Sequence, residues 1–298
     1  VTVAVLAAPS DTLLLSEILG RFADAGIDAY GLKLHETWES LQGESVLRRL
    51  EKASHFLALV SLASLNSSWF SFTAGYGYSR GVSFALYRFD PDREIPRYLS
   101  GLPVLDSLEE LDSYYQTEMA GWLAEEERRA SRASLLEMGI SCHADALAQC
   151  AQEGDAAAVE LFLKSGFSPD SRDKHGVPLL CLAARGRHRA VAEILLDRGA
   201  SVDLQSEDRG YSPLMDAAHI GSADLVELFL QRGAAPDLRS KDGQTALVVA
   251  VGRNDADIAR LLLEGGADAG LEDKLGLSAR KYASLFKNPA MLALFEGR

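Results

Sequence analysis

Three polar clusters in the first third of the chain carry residue types able to hold a small ligand: Pro9-Ser10-Asp11, His35-Glu36-Thr37-Trp38 and Ser61-Leu62-Ala63-Ser64. Hydroxyls in the outer two suit sugar or phosphate oxygens, and Trp38 or Trp69 can stack on a base. The strand-end candidates for a small ligand are Pro9, Ser10, Glu36, Trp38 and Ser61, with Trp69 as a ring for a base. Their plainer roles are turns, helix caps and solvated loop positions. Other chemistry finds no support. Cys142, Cys150 and Cys181 have no metal-ligand spacing, and neither His188 nor His219 has a second ligand at metal spacing, so no metal is expected. The sequence holds no Gly-rich phosphate loop, no Gly-x-Ser-x-Gly elbow and no Cys/His nucleophile pair.

The elements that must position these clusters alternate. Thr2–Ala7, Ile27–Leu34, His55–Ser61 and Val82–Tyr87 read as strands, with helices at 13–25, 43–53 and 68–80 between them and a short last strand at 102–105. Such alternation predicts a parallel sheet with helices on both faces and a ligand at the carboxyl ends of its strands. Along 68–80, Phe72, Tyr76 and Ser79 suggest the face turned to the sheet.

Gly43-Glu44 opening a helix, then HFLALVSLASLNSSWFSFTAGYG at 55–77, resembles the Toll/interleukin-1 receptor (TIR) family, over residues 1–105. The resemblance implies a flavodoxin-like α/β fold, self-association and, in enzymatic members, cleavage of NAD. There a catalytic glutamate follows the tryptophan by four residues; counted from Trp69, this chain has Thr73. The related deoxyribosyltransferases place a glutamate before a helix glycine, where this chain has Thr73 or Ala74. The resemblance thus implies a catalytically degenerate domain with no catalytic residue and no required cofactor, and NAD or a nucleotide as its candidate ligand in a pocket of Pro9, Ser10, Glu36, Trp38, Ser61, Trp69 and Thr73.

Residues 106–140 read as a connecting helix. Ser107 and Glu110 form a capping box, Leu108, Leu111, Tyr115, Met119 and Trp122 make an apolar stripe, and Gln116 and Glu118 face water. Glu125–Arg129 is a solvated charge run. The net charge of the 298 residues is −13, with 12 basic and 20 acidic side chains over 1–140 and 18 and 23 over 141–298, which argues against nucleic acid as partner. No apolar run is long enough to span a membrane, and Val3–Ala8 is too short and lacks the basic flank of a signal peptide. Unpaired cysteines fit a reducing, cytoplasmic compartment.

Residues 141–298 repeat. Gly176, Gly210, Gly243 and Gly276 recur every 33 or 34 positions, dividing the segment at 141–172, 173–206, 207–239, 240–272 and 273–298. Tyr211-Ser212-Pro213-Leu214-Met215-Asp216-Ala217-Ala218 is similar to the Thr-Pro-Leu-His-x-Ala signature of the ankyrin repeat. The resemblance implies an all-α solenoid of five repeats that binds a protein partner through hairpin tips and the concave face of its first helices. By position those residues are Lys174, His175, Asp208, Arg209, Tyr211, Lys241 and Asp242 at the tips and Arg185, His219, Ile220 and Arg253 on the helices. Arg280 and Lys281 mark the last copy as a cap facing water. The expected function is a non-enzymatic adaptor. The alternatives are a NAD- or nucleotide-processing enzyme using Glu36, Glu39 or Glu44, and a sensor that binds a nucleotide without turnover.

Overall fold

The structure, a computed structural model, describes residues 1–33 and 43–296, with side chains from 47 onward in the second stretch. His35, Glu36, Thr37, Trp38 and Glu39 lie outside the described residues, as does the side chain of Glu44. The chain divides into two compact units, 1–126 and 127–298.

In the first unit β1 (Thr2–Ala7), β2 (Asp28–Lys33), β3 (His55–Leu59), β4 (Ser83–Tyr87) and β5 (Val104–Leu105) form one sheet in the order β2-β1-β3-β4-β5. All four pairings are parallel; β1 sets Val3 beside both Ala29 of β2 and His55 of β3, so the strand order reverses there. Val3–Ala7 and Phe56–Val60 are buried throughout, as a sheet covered on both faces requires. On one face Leu15, Ile18 and Phe22 of α1 (Thr12–Asp24) pack with Leu111 and Tyr115 of α5 (Leu108–Glu137). On the other, Leu50 of α2 (Gly43–Lys52) packs with Trp69 and Phe70 of α4 (Ser68–Arg80).

The buried face of α4 is Trp69, Phe70, Thr73 and Gly77; of the face expected from spacing, Phe72 and Tyr76 are partly buried against the same core and Ser79 is exposed. Gly77 is the reason: a Cβ there would meet the Phe56 ring at 2.9 Å, so only glycine lets the helix lie this close to β3. Phe72 and Tyr76 also stack on each other, 6.1 Å between centroids. In α5, Glu110 N donates to Ser107 Oγ (3.1 Å) and the Glu110 carboxylate accepts from Asp106 N (2.8 Å), so the reciprocal bond of the cap falls one residue before Ser107. Glu118 does not simply face water: it approaches His55, as described below.

The second unit is five helix pairs: α6 (Ala144–Glu153) with α7 (Ala156–Lys164), α8 (Leu179–Arg185) with α9 (Arg189–Asp197), α10 (Pro213–Ile220) with α11 (Ala223–Gln231), α12 (Ala246–Gly252) with α13 (Ala256–Glu264), and α14 (Ala279–Phe286) with α15 (Pro289–Phe295). One apolar core runs through all of them, because no single pair can cover its own leucines. Ser212, Thr245 and Ser278 cap the first helices, accepting from the amides of Met215, Val248 and Lys281. Small residues such as Ala217, Ala250 and Ala283, all fully buried, let neighbouring helices approach.

Between the pairs, the hairpins are tied tip to tip by backbone bonds: Glu207 N to Gly176 O (3.1 Å), Lys241 N to Arg209 O (3.0 Å) and Lys274 N to Asp242 O (3.0 Å). Gly210 has φ +69°, and a Cβ on it would lie 2.8 Å from Lys241 N. The glycine is needed both for the turn and for the next hairpin's approach. The last repeat departs from the expected water-facing cap. Arg280 and Lys281 are exposed, but so are Leu275 (77%), Leu285 (62%) and Phe286 (49%).

Candidate functional site

At the strand ends of the first unit the polar residues bond one another. Pro9–Asp11 forms a single 3-10 turn, Ser10 Oγ donates to Asp11 Oδ1 and Ser61 Oγ to Asp11 Oδ2, both at 2.8 Å. Ser61 also caps α3 (Leu62–Leu65), exchanging bonds with Ser64. Pro9, Ser10 and Ser61 are thus brought together around Asp11. Trp69 and Thr73 are not available beside them: each is only 1% exposed. The Thr73 hydroxyl turns back onto its own helix, donating to the carbonyls of Trp69 (2.9 Å) and Phe70 (3.0 Å), so Thr73 presents no polar group to a ligand. A 710 Å³ cavity does exist in this unit, between α4 and the turn at Arg97–Leu99. Its walls, Ser71, Ala74, Tyr78, Phe84, Tyr98 and Leu102 among them, are mostly apolar and include none of the expected pocket residues.

Elsewhere in the unit His55, 2% exposed, sets Nδ1 2.9 Å from Ser54 Oγ and Nε2 3.4 Å from Glu118 Oε2. Ser83 Oγ donates to the same carboxylate oxygen (3.2 Å). Burial lowers the His55 pKa by more than Glu118 raises it, keeping the ring neutral at neutral pH.

The repeat residues expected to bind a partner separate into two groups. Lys174 and His175 are exposed and, with Gln149 and Gln152 of α6, wall a 290 Å³ groove between the hairpin and the helix. Lys241, Asp242 and Arg253 are exposed. By contrast Arg185, Asp208, Arg209 and Tyr211 hold each other. Arg185 makes a bidentate pair with Asp208 (2.8 and 3.0 Å) and reaches Asp216 through Nε (3.0 Å). Arg209 closes on the other Asp216 oxygen (2.9 Å) while its guanidinium lies over the Tyr211 ring, 4.5 Å from the centroid. Tyr211 is 9% exposed, not an open tip residue; its hydroxyl bonds Gln244 (3.2 Å) and its ring meets His219 edge-on at 5.9 Å. Ile220 is half-buried, its carbonyl taking a bond from Arg187.

Asp216, fully buried, is the centre of this cluster. Its position in the repeat signature is unrestricted, so no motif marks it; only an acid amid an otherwise apolar helix start signals it. Burial pushes its carboxyl up to about 6 against the pull of Arg185 and Arg209. Arg185 beside Asp208 holds that second carboxyl well below the usual range. Burial also drives the Cys181 thiol well up, with Asp216 adding to it, so Cys181 is an inert core residue. His219 is lowered by burial and by three guanidiniums, Arg209, Arg253 and Arg185. Among the described residues no group of three or more His, Cys, Asp or Glu could hold a metal ion, and no helix is long and apolar enough to cross a membrane.

Helix pairs, capped first helices and stacked hairpins define an ankyrin solenoid, and the family model for ankyrin repeats (3 copies) matches residues 147–239 and 214–297. A putative ankyrin repeat-containing protein of Treponema pallidum (strain Nichols) is 37% identical over 248 residues, 83% of this chain and 83% of that protein. The chain belongs to this ankyrin-repeat family. Because 141–298 can supply at most 158 of those 248 positions, the likeness extends into the first unit. The B-cell lymphoma 3 protein homolog of Mus musculus is 34% identical over 102 residues, 34% of this chain and 23% of that protein.

Proposed function

We propose that the chain is a non-enzymatic adaptor whose ankyrin repeats bind a partner protein along the hairpin tips and the first helices. The observation that carries this is the division of labour on that face. Arg185, Asp208, Asp216 and Arg209 lock one hairpin against two helices, which leaves Lys174, His175, Lys241, Asp242 and Arg253 displayed on a pre-formed surface. Pre-organised walls lower the entropic cost of binding. The first unit we read as a TIR-like domain that has lost its catalytic carboxylate and serves self-association or nucleotide recognition. The strand order and the inward-turned Thr73 hydroxyl support that reading. Cytoplasm is the compartment it implies, with Cys142, Cys150 and Cys181 as free thiols.

The test is a pull-down with the full chain and a Lys174→Glu, Lys241→Glu, Arg253→Glu variant. A partner held by the first and lost by the second is expected; equal retention by both would place binding off this face. In parallel, incubation with NAD is expected to release no nicotinamide. Release at enzymatic rates would overturn the adaptor reading of the first unit.

A further inference from the structure

The first helices of the repeats carry corresponding residues at corresponding places, and the sequence of types along the solenoid changes sharply. Eight residues past the helix-opening Val177, Ser212, Thr245 and Ser278 stand Arg185, Ile220, Arg253 and Phe286; four past them stand Cys181, Asp216, Val249 and Tyr282. Just before the hairpin glycines Gly210, Gly243 and Gly276 stand Arg209, Asp242 and Leu275. In the third repeat the tip and helix positions are the Arg209–Asp216 ion pair. In the fifth they are Leu275 and Tyr282. The Phe286 ring, in the place of Arg185, stacks on Tyr282 at 6.3 Å with 15° between planes. Tyr282 is itself fixed by donating to Asp273 Oδ2 (2.7 Å). Where the second and third repeats close their surface with internal ion pairs, the last presents an aromatic pair, 77% exposed Leu275 and 62% exposed Leu285. Exposed apolar groups of this kind mark interaction surfaces.

Charge says what should cover them. In a chain of net charge −13, residues 274–296 hold four basic side chains, Lys274, Arg280, Lys281 and Lys287, and the single acid Glu296. Lys281 is paired with Glu272 (2.6 Å). Arg253, on the adjoining helix, is exposed and has no carboxylate partner among the described residues. After burial, it is one of the three guanidiniums that lower His219. Resting on the adaptor reading above, we propose that the fifth repeat and Arg253 form a docking surface for an acidic peptide segment of a partner protein. An apolar side chain of that segment seats on Leu275, Tyr282 and Phe286, and a carboxylate pairs with Arg253. Nucleic acid fits less well, because residues 274–296 hold only four basic side chains, one of them paired with Glu272, a short footprint for a phosphate backbone.

The experiment pans a random dodecapeptide phage library against the full chain and measures the enriched peptides, fluorescein-labelled, by anisotropy. Peptides with net negative charge and a Leu, Phe or Trp are expected. Leu275→Ser plus Phe286→Ser, and separately Arg253→Glu, should each weaken them at least about tenfold, while exchange of the peptide's acids for lysine should restore binding to the Arg253→Glu chain. Circular dichroism melts verify that the variants fold; should Phe286→Ser melt early, Leu275→Ser alone decides the apolar contact. Peptides that bind but are blocked only by Lys174→Glu or Lys241→Glu would overturn this proposal and leave the adaptor reading standing. Enrichment of no peptide would overturn it together with that reading. Tighter binding of a labelled dT12 oligonucleotide, or dimerisation in sedimentation that Phe286→Ser abolishes, would replace the acidic peptide with another occupant and refute it.

Discussion

Asp216→Asn tests whether burial or the paired arginines govern the cluster at the centre of the repeats. The carboxyl is fully buried, and its folded value of about 6 lies above the unfolded value of roughly 3.9. A folded state that binds the proton more tightly gains stability from it below the unfolded pKa and loses that gain as pH rises through the folded one. With these values the gain is about 2 kcal/mol near pH 4.5 and close to ~0 near pH 7. Asp208, held low by Arg185, works in the opposite direction, losing stability as pH falls, and is present in wild type and variant alike. Urea unfolding of both at the two pH values is the assay. Far-UV circular dichroism must be the signal, since Trp38, Trp69 and Trp122 all precede the repeats. The wild type should gain on the variant by about 2 kcal/mol at the lower pH. A gap that stays constant would mean that Arg185 and Arg209, at 3.0 and 2.9 Å, keep the carboxylate charged throughout and that burial is the smaller effect.

Three further outcomes are expected. Gly210→Ala forces an L side chain into φ +69° and against Lys241 N; it should cost about 1–2 kcal/mol and lower Tm, with an unchanged melt contradicting the close hairpin approach. The His219 ring should titrate below its ordinary value, and Arg253→Glu should move its NMR midpoint upward; no movement would deny that Arg253 acts on it. Thr73→Glu should create no NAD cleavage and destabilise the first unit by at least about 3 kcal/mol, because the position is 1% exposed; a folded, active variant would show that the site opens.

Much of the architecture was legible because its signals are local. The period of the glycines, the Ser212, Thr245 and Ser278 caps and the strand-helix alternation each depend on a few neighbouring residues, and the sheet and helix pairs follow them closely. What escaped was decided by partners distant in sequence. Tyr211 reads as a hairpin tip, yet Gln244 from the next repeat and Arg209 above it draw the ring inward. Glu118 lies off the apolar stripe of its own helix, and only the fold brings His55 within 3.4 Å. On α4, aromatic and small residues occur all round, so no stripe distinguishes the face that Gly77 allows onto Phe56. Of the expected binding residues, position alone chose Arg185, Asp208, Arg209 and Arg253 alike; whether a charge is spent internally or displayed depends on Asp216, an unmarked position.

The backbone bonds that join one hairpin to the next, from Glu207, Lys241 and Lys274 to the carbonyls of Gly176, Arg209 and Asp242, involve no side chain at all. Lys174, His175 and Asp242, which make no side-chain bond to a neighbouring hairpin among the described residues, unlike Lys241 with its ammonium on the Glu207 carbonyl, are therefore free to change by mutation without loosening those bonds. A lineage carrying this scaffold can exchange its recognition residues one at a time, and acquire a new partner, while each intermediate still folds.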